Sequence, residues 1–174
     1  MTAVAAGRAL LTGLTGFTGR YVADALTRAG FEVFGTCLHG REVPESGGRC
    51  YPVDIEDLGA ISRVLRDVRP DIVVHLAGLA FVGESDSNAF YRVNLLGTRN
   101  LLRGLADLDA VPRCVLLASS ANVYGNASAG TLDENSPTSP ANDYAVSKLA
   151  MEHMARLWED RPPIVIVRPF NYTG

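Results

Sequence analysis

Short apolar runs alternate with longer amphipathic stretches along the whole chain. Residues 8–12 predict a compact strand, followed by glycines. A helix comes next, with Tyr21, Val22, Ala25, Leu26 and Ala29 recurring at helical spacing and Gly30 as its stop. Residues 32–37 form a second strand. Residues 50–53 form a short third one, reached through a loop holding Pro44, Gly47 and Gly48. Leu58, Ile61, Leu65 and Val68 line one face of a second helix, closed by Pro70. The nearly continuous apolar run 71–77 predicts a strand buried on both faces, as in a parallel sheet. A long helix is expected over about 88–106, a fifth strand over 114–118, a helix over about 144–160 and a sixth strand over 164–167. Between them, residues 125–142 are rich in Ser, Pro, Asn and Gly, a loop long enough to expect a functional role. This alternation predicts an α/β fold: a doubly wound parallel sheet with helices on both faces and right-handed crossovers. Residues 1–174 are expected to form one domain, truncated after the sixth strand.

Composition narrows the function classes. A chain of 174 residues with 47% hydrophobic content can fill one core. The formal net charge of −3 argues against a nucleic-acid partner, which a basic excess would attract. No apolar run reaches the roughly 18 residues of a membrane span, so no membrane partner is expected. Residues 1–11 lack the layout of a secretory signal. Cys37, Cys50 and Cys114 are odd in number and scattered, which suits free thiols in a reducing cytoplasm.

Gly13, Gly16 and Gly19 are spaced three apart between the first strand and the first helix. Such a loop can turn tightly, approach a pyrophosphate and present helix N-terminal amides to it. A glycine turn serving only packing is the bland alternative. Strand before and helix after favour dinucleotide binding. The acidic residue that reads the NAD ribose would stand at the end of the second strand, where Cys37 stands instead. His39 and Arg41 could meet a 2′-phosphate, so the expectation leans to NADP, with NAD as the alternative. Asp57 suits a helix N-cap, leaving Asp54 free to accept from an adenine amino group. His75 lies in an apolar run and reads as a satisfied core histidine. No His/Cys/Asp cluster has ligand spacing, so no metal is expected.

Tyr144 and Lys148 are the sharpest pair, sharing one helical face at i, i+4. A phenol titrating near ~10 needs help to shuttle protons at neutral pH, and a neighbouring ammonium favours its phenolate. Ser119 and Ser120 end the fifth strand, where such sheets bind ligands, and a serine hydroxyl there can hold a substrate oxygen.

Taken in order, the glycine loop, Asp54-Ile55, residues 75–78, Asn94 with Gly97-Thr98, Ser119-Ser120 with Tyr124-Gly125, Tyr144 with Lys148, and the run 168–171 resemble the extended short-chain dehydrogenase/reductase family. These are NAD(P)-dependent nucleotide-sugar epimerases, dehydratases and reductases. The resemblance spans residues 8–174 and implies a Rossmann-type fold with catalytic Ser120, Tyr144 and Lys148. It implies cofactor contacts from Gly13, Thr15, Gly16, Phe17, Thr18, Gly19, Asp54, Ile55, Leu76, Ala77, Gly78, Ala80 and Asn94, besides Tyr144 and Lys148. It implies substrate contacts from Ser120 and Asn171, and a nucleotide-sugar as partner. Family members continue into a smaller substrate-binding lobe, which is expected to be absent from this chain.

The family's 4,6-dehydratases carry an acidic residue after the catalytic hydroxyl, where this chain has Ala121 and Asn122. Its 3,5-epimerase/reductases carry a cysteine at the position of Asn122. Two branches survive, a 4-keto-sugar reductase and a 4-epimerase. Residues 32–36 and 168–174 look most like reductases of GDP-4-keto-6-deoxymannose. A non-catalytic cofactor sensor ranks third, because it has no reason to keep Ser120, Tyr144 and Lys148 together. The family likeness also implies a homodimer formed by helices 88–106 and 144–160, with Leu101, Leu102, Leu105, Met151, Met154 and Trp158 supplying apolar surface on more than one face.

Overall fold

In the computed structural model, which describes residues 6–38, 49–80, 86–126, 130–158 and 162–171, strand β1 (Gly7–Thr12) buries Leu10 and Leu11 completely. Neighbouring strand residues point to opposite faces, so the two leucines enter different cores. Leu10 packs with Phe34, Val73, Val115 and Leu117, whereas Leu11 packs with Leu14, Ala23, Val33 and Val74. A sheet buried on both sides follows directly from that pair.

The strands β1, β2 (Phe31–Cys37), β3 (Arg49–Pro52), β4 (Ile72–His75), β5 (Cys114–Ala118) and β6 (Ile164–Val167) pair in parallel in the order β3-β2-β1-β4-β5-β6. Helix α1 (Phe17–Arg28) contributes Ala23 to the Leu11 core. Helix α2 (Leu58–Val68) contributes Ile61, Val64, Leu65 and Val68 to the other core. Strand order reverses between β1 and β4, so a crevice opens past their carboxyl ends.

Asp57 caps α2 as its sequence position suggests, accepting from the Ala60 N–H at 2.9 Å. Strand β4 stops at His75, two residues before the expected end. The expected long helix is three pieces: α3 (Asn88–Phe90), a π-helical segment (Tyr91–Gly97) and α4 (Thr98–Ala106). Two contacts lie at the wide turns: Asn94 is fully buried there, and a Cβ on Gly97 would stand 2.6 Å from Ile55 Cγ2. Helix α5 (Asp143–Ala155) starts under an Asn142 cap that accepts from the Ala145 N–H at 2.8 Å, and one tighter turn (Arg156–Trp158) follows.

The apolar residues of these helices need a correction. Leu101, Leu102, Leu105 and Met151 are buried in the core, and Met154 and Trp158 pack against it. They leave no spare face, because α4 and α5 pack on the same side of the sheet as α2. The exposed apolar residues there are Leu96, Val146 and Leu157. Among the described residues no helix is long and apolar enough to cross a membrane.

Candidate active site

The β1–α1 turn supplies the first wall. Gly13 has φ +76°, and a Cβ on it would stand 2.8 Å from the Ala77 backbone nitrogen. That approach draws the turn against the end of β4. Gly16 caps α1 without a side-chain hydrogen bond. Glycines and helix amides thus open together on a cleft of about 310 Å³. Gly13, Gly16, Phe17, Thr18, Gly19, Leu76, Gly78, Ala80, Tyr144 and Lys148 line it, as expected for a dinucleotide site. Ser119 and Pro169, both within the quoted motifs, line it too, and so do Leu79 and Ala118, which the sequence did not single out.

A second cleft of about 400 Å³ is lined by Ser120, Asn122, Asn171 and Tyr144, with Ala80, Phe90, Asn142 and Asp143. Tyr144 and Ala80 border both spaces. Phe90 holds the Tyr144 ring from the side, with centroids 5.9 Å apart at 57°. Ser120 Oγ accepts from the Asn122 N–H at 3.2 Å, so the serine also caps the 3₁₀ turn (Ala121–Tyr124).

Lys148 is 7% exposed and donates from Nζ to the Ala118 carbonyl at 2.9 Å. Burial lowers its pKa to about 8, against an opposing pull from Glu152. A Cβ on Gly78 would stand 3.1 Å from Lys148 Nζ. The glycine therefore keeps open the space in front of the ammonium.

His75 lies behind the cleft. Thr98 Oγ donates to the Asn94 carbonyl at 2.7 Å, so its oxygen accepts from His75 Nε2 at 2.8 Å. Thr12 Oγ accepts from the Ala77 N–H at 3.2 Å and donates to His75 Nδ1 at 2.6 Å. Burial and the nearby Lys148 charge push its pKa down to about 3. It is a neutral, satisfied core histidine.

Five expected cofactor residues lie outside the described wall of the cleft. Asn94 accepts from the Leu79 N–H at 2.8 Å and donates to the Leu79 carbonyl at 3.0 Å and to Ser147 Oγ at 3.0 Å. Its whole amide braces the β4 loop from behind, so its place is that of a support. The Ile55 side chain is in the core, and its carbonyl accepts from Asn100 at 3.2 Å. Asp54 is exposed, but its Oδ1 accepts from the Glu56 N–H at 2.9 Å, so the carboxylate is only partly free. The Ala77 N–H is taken by Thr12, and Thr15 sits half-buried beside the loop.

The strand end that was to select NADP reads differently in three dimensions. Cys37 is 7% exposed, and its thiol faces that of Cys50 at 2.7 Å. All three cysteines are free thiols, although this pair is adjacent. Burial first, and then Cys37, push the Cys50 thiol up to about 12. His39 and Arg41 lie outside the described residues. Among the described residues no three His, Cys, Asp or Glu side chains could hold a metal ion.

The residues present fit a bound dinucleotide. The glycine turn fills with any added Cβ, α1 offers its amides, and Gly78 clears a space beside Lys148. The model of the NAD dependent epimerase/dehydratase family matches residues 9–174. The chain is 36% identical to GDP-6-deoxy-D-talose 4-dehydrogenase of Aggregatibacter actinomycetemcomitans over 95% of its own length and 53% of that protein. It is 35% identical to human UDP-glucose 4-epimerase over 97% of its length and 54% of the relative. The crystal structure of Thermus thermophilus UDP-glucose 4-epimerase with NAD superposes with a TM-score of 0.83 at 30% identity, covering 92% of this chain and 54% of that one. The chain spans about half the length of the curated relatives it matches. Glycine turn, sheet order and the Ser120, Tyr144 and Lys148 clefts agree with the match across nearly every residue: the chain belongs to the NAD dependent epimerase/dehydratase family.

Proposed function

We propose that the protein is an NAD(P)-dependent oxidoreductase acting at C4 of a nucleotide-linked hexose, and that it reduces a 4-keto-6-deoxyhexose. The observation that carries this reading is the place of Tyr144, whose side chain borders both the glycine-loop cleft and the Ser120–Asn171 cleft. A group there can pass a proton to a sugar in one space while a nicotinamide lies in the other. Bound cofactor supplies the hydride. Lys148 orients the nicotinamide ribose, Ser120 holds the C4 oxygen, and the Tyr144 hydroxyl delivers the proton. Ala121 and Asn122 offer no carboxylate for an elimination.

The talose dehydrogenase relative, named for oxidation at C4 of a GDP-linked 6-deoxyhexose, supports the sugar class. The neighbouring structures solved with NAD support NAD as the cofactor, and nothing described around Cys37 favours a 2′-phosphate. A 4-epimerase is the second reading, favoured by the UDP-glucose 4-epimerase relatives. Incubation of the full-length protein with GDP-4-keto-6-deoxyhexose and reduced cofactor separates the two. A reductase consumes cofactor stoichiometrically with product, whereas an epimerase interconverts UDP-hexoses and leaves the cofactor pool unchanged. Cytoplasmic placement, suggested by the free thiols, and a homodimer resting on Leu96, Val146 and Leu157 belong to the same proposal.

A further inference from the structure

Among the described residues, the most heavily bonded carboxylate is not one the proposed chemistry uses. Glu152 is 2% exposed and lies one helical turn beyond Lys148 on α5. Its Oε1 accepts from the Ser119 hydroxyl and from Arg168 Nε at 3.0 Å. Its Oε2 accepts from Arg168 Nη2 at 2.6 Å. Arg168 Nη1 in turn donates to the Tyr124 hydroxyl at 3.0 Å, and that hydroxyl donates to the Asp133 carbonyl at 2.8 Å. One carboxylate thus ties together the end of β5, the chain beyond β6, helix α5 and the loop after Tyr124.

We propose that Glu152 is the positioning residue of the active helix: by anchoring α5 to Ser119 and Arg168, it holds Lys148 against the cofactor cleft and Ser120 against the neighbouring one. The inference rests on the reading of Lys148 as a cofactor-binding residue. Ser119 lines the first cleft and Ser120 the second, so the Glu152–Ser119 bond locks the strand end that feeds both. Removing the carboxylate frees that end and leaves the partly buried Arg168 without its ion-pair partner.

Glu152 also acts on Lys148 through its charge. The titratable and charged groups that act on the Lys148 ammonium are Glu152 on its own helix, itself paired with Arg168, and neutral His75 on β4, while Tyr144 lines the same cleft. Of these, Glu152 favours the charged lysine, opposing the burial that lowers its pKa to about 8. Loss of its charge moves the deprotonation of Lys148 to lower pH.

The test is direct titration of the full-length protein with NAD between about pH 6 and 9. Glu152→Gln is expected to shift the pH at which NAD affinity falls downward by about one unit, within the range of a nearby opposite charge. Glu152→Asp keeps the charge and is expected to restore that midpoint while turnover stays below wild type, because the shorter side chain strains the Ser119 and Arg168 bonds. If Glu152→Gln does not fold, Arg168→Gln leaves the Glu152 charge without its neutralising partner and is expected to move the same midpoint upward. A midpoint identical to wild type in whichever variant folds overturns the inference. Wild-type protein that binds no NAD overturns the functional reading and the inference with it, whereas failure of Tyr144→Phe to slow turnover overturns only the assignment of the acid.

Discussion

Tyr144→Phe removes one oxygen from the boundary between the two clefts and leaves the ring against Phe90. In full-length protein, turnover is expected to fall about 10²–10⁴-fold with NAD affinity retained, the usual contribution of a general acid. Retention of more than about a tenth of the activity would contradict the role. Gly78→Ala should give the converse result. Its Cβ would stand 3.1 Å from both Lys148 Nζ and Asn94 Oδ1 and crowd the space in front of the ammonium, so NAD binding is expected to weaken in titration. His75 provides the pH signature. Its folded pKa of about 3 lies below its ordinary value of 6.5, so between these the unfolded chain binds the extra proton. Stability from this residue is therefore complete above 6.5 and is lost as pH falls towards 3, at up to about 1.4 kcal/mol per pH unit. Urea titrations at several pH values should show a shallower loss in His75→Gln than in wild type. Parallel slopes for the two proteins would refute it.

At the scale of elements, the glycine turn, the cap of α2 and five of the six strands lie close to where periodicity places them. Asp57→Ala should cost about 1 kcal/mol in urea unfolding, the usual loss of an N-cap, without change in NAD binding. The π-helical segment was not legible. Its residues carry ordinary helical spacing, and what distinguishes it is Asn94 meeting Leu79 from β4 and Ser147 from α5. A one-dimensional pattern holds no record of those partners. Asn94 accordingly reads as a cofactor contact from its motif and is found as a brace. Glu152 could have been noticed, since it stands four residues after Lys148. Nothing in the sequence tells a buried glutamate from a solvated one until Arg168 and Ser119 are brought to it.

For the whole molecule, the expected dimer must rest on different residues from those that its apolar count suggests. Leu101, Leu102, Leu105 and Met151 fill the interior, and Leu96, Val146 and Leu157 remain at the surface. Sedimentation of the full-length protein is expected to show a dimer, with Val146→Glu shifting it towards monomer. A wild-type monomer at micromolar concentration would remove the proposal.

What the sequence determined by itself was the parallel sheet, the glycine turn and the placement of Tyr144 and Lys148 on one helical face. Each depends on short-range spacing: a period of two or 3.6, three glycines, a phenol and an ammonium one turn apart. Only the tertiary structure decided which side of the wall each polar residue occupies. It placed Tyr144 between two clefts and Asn94 and His75 behind them. It turned Cys37 towards Cys50, and joined Glu152 to residues on two other elements. Burial and long-range hydrogen bonding set those places, because a polar group withdrawn from water must find a partner wherever the fold puts one.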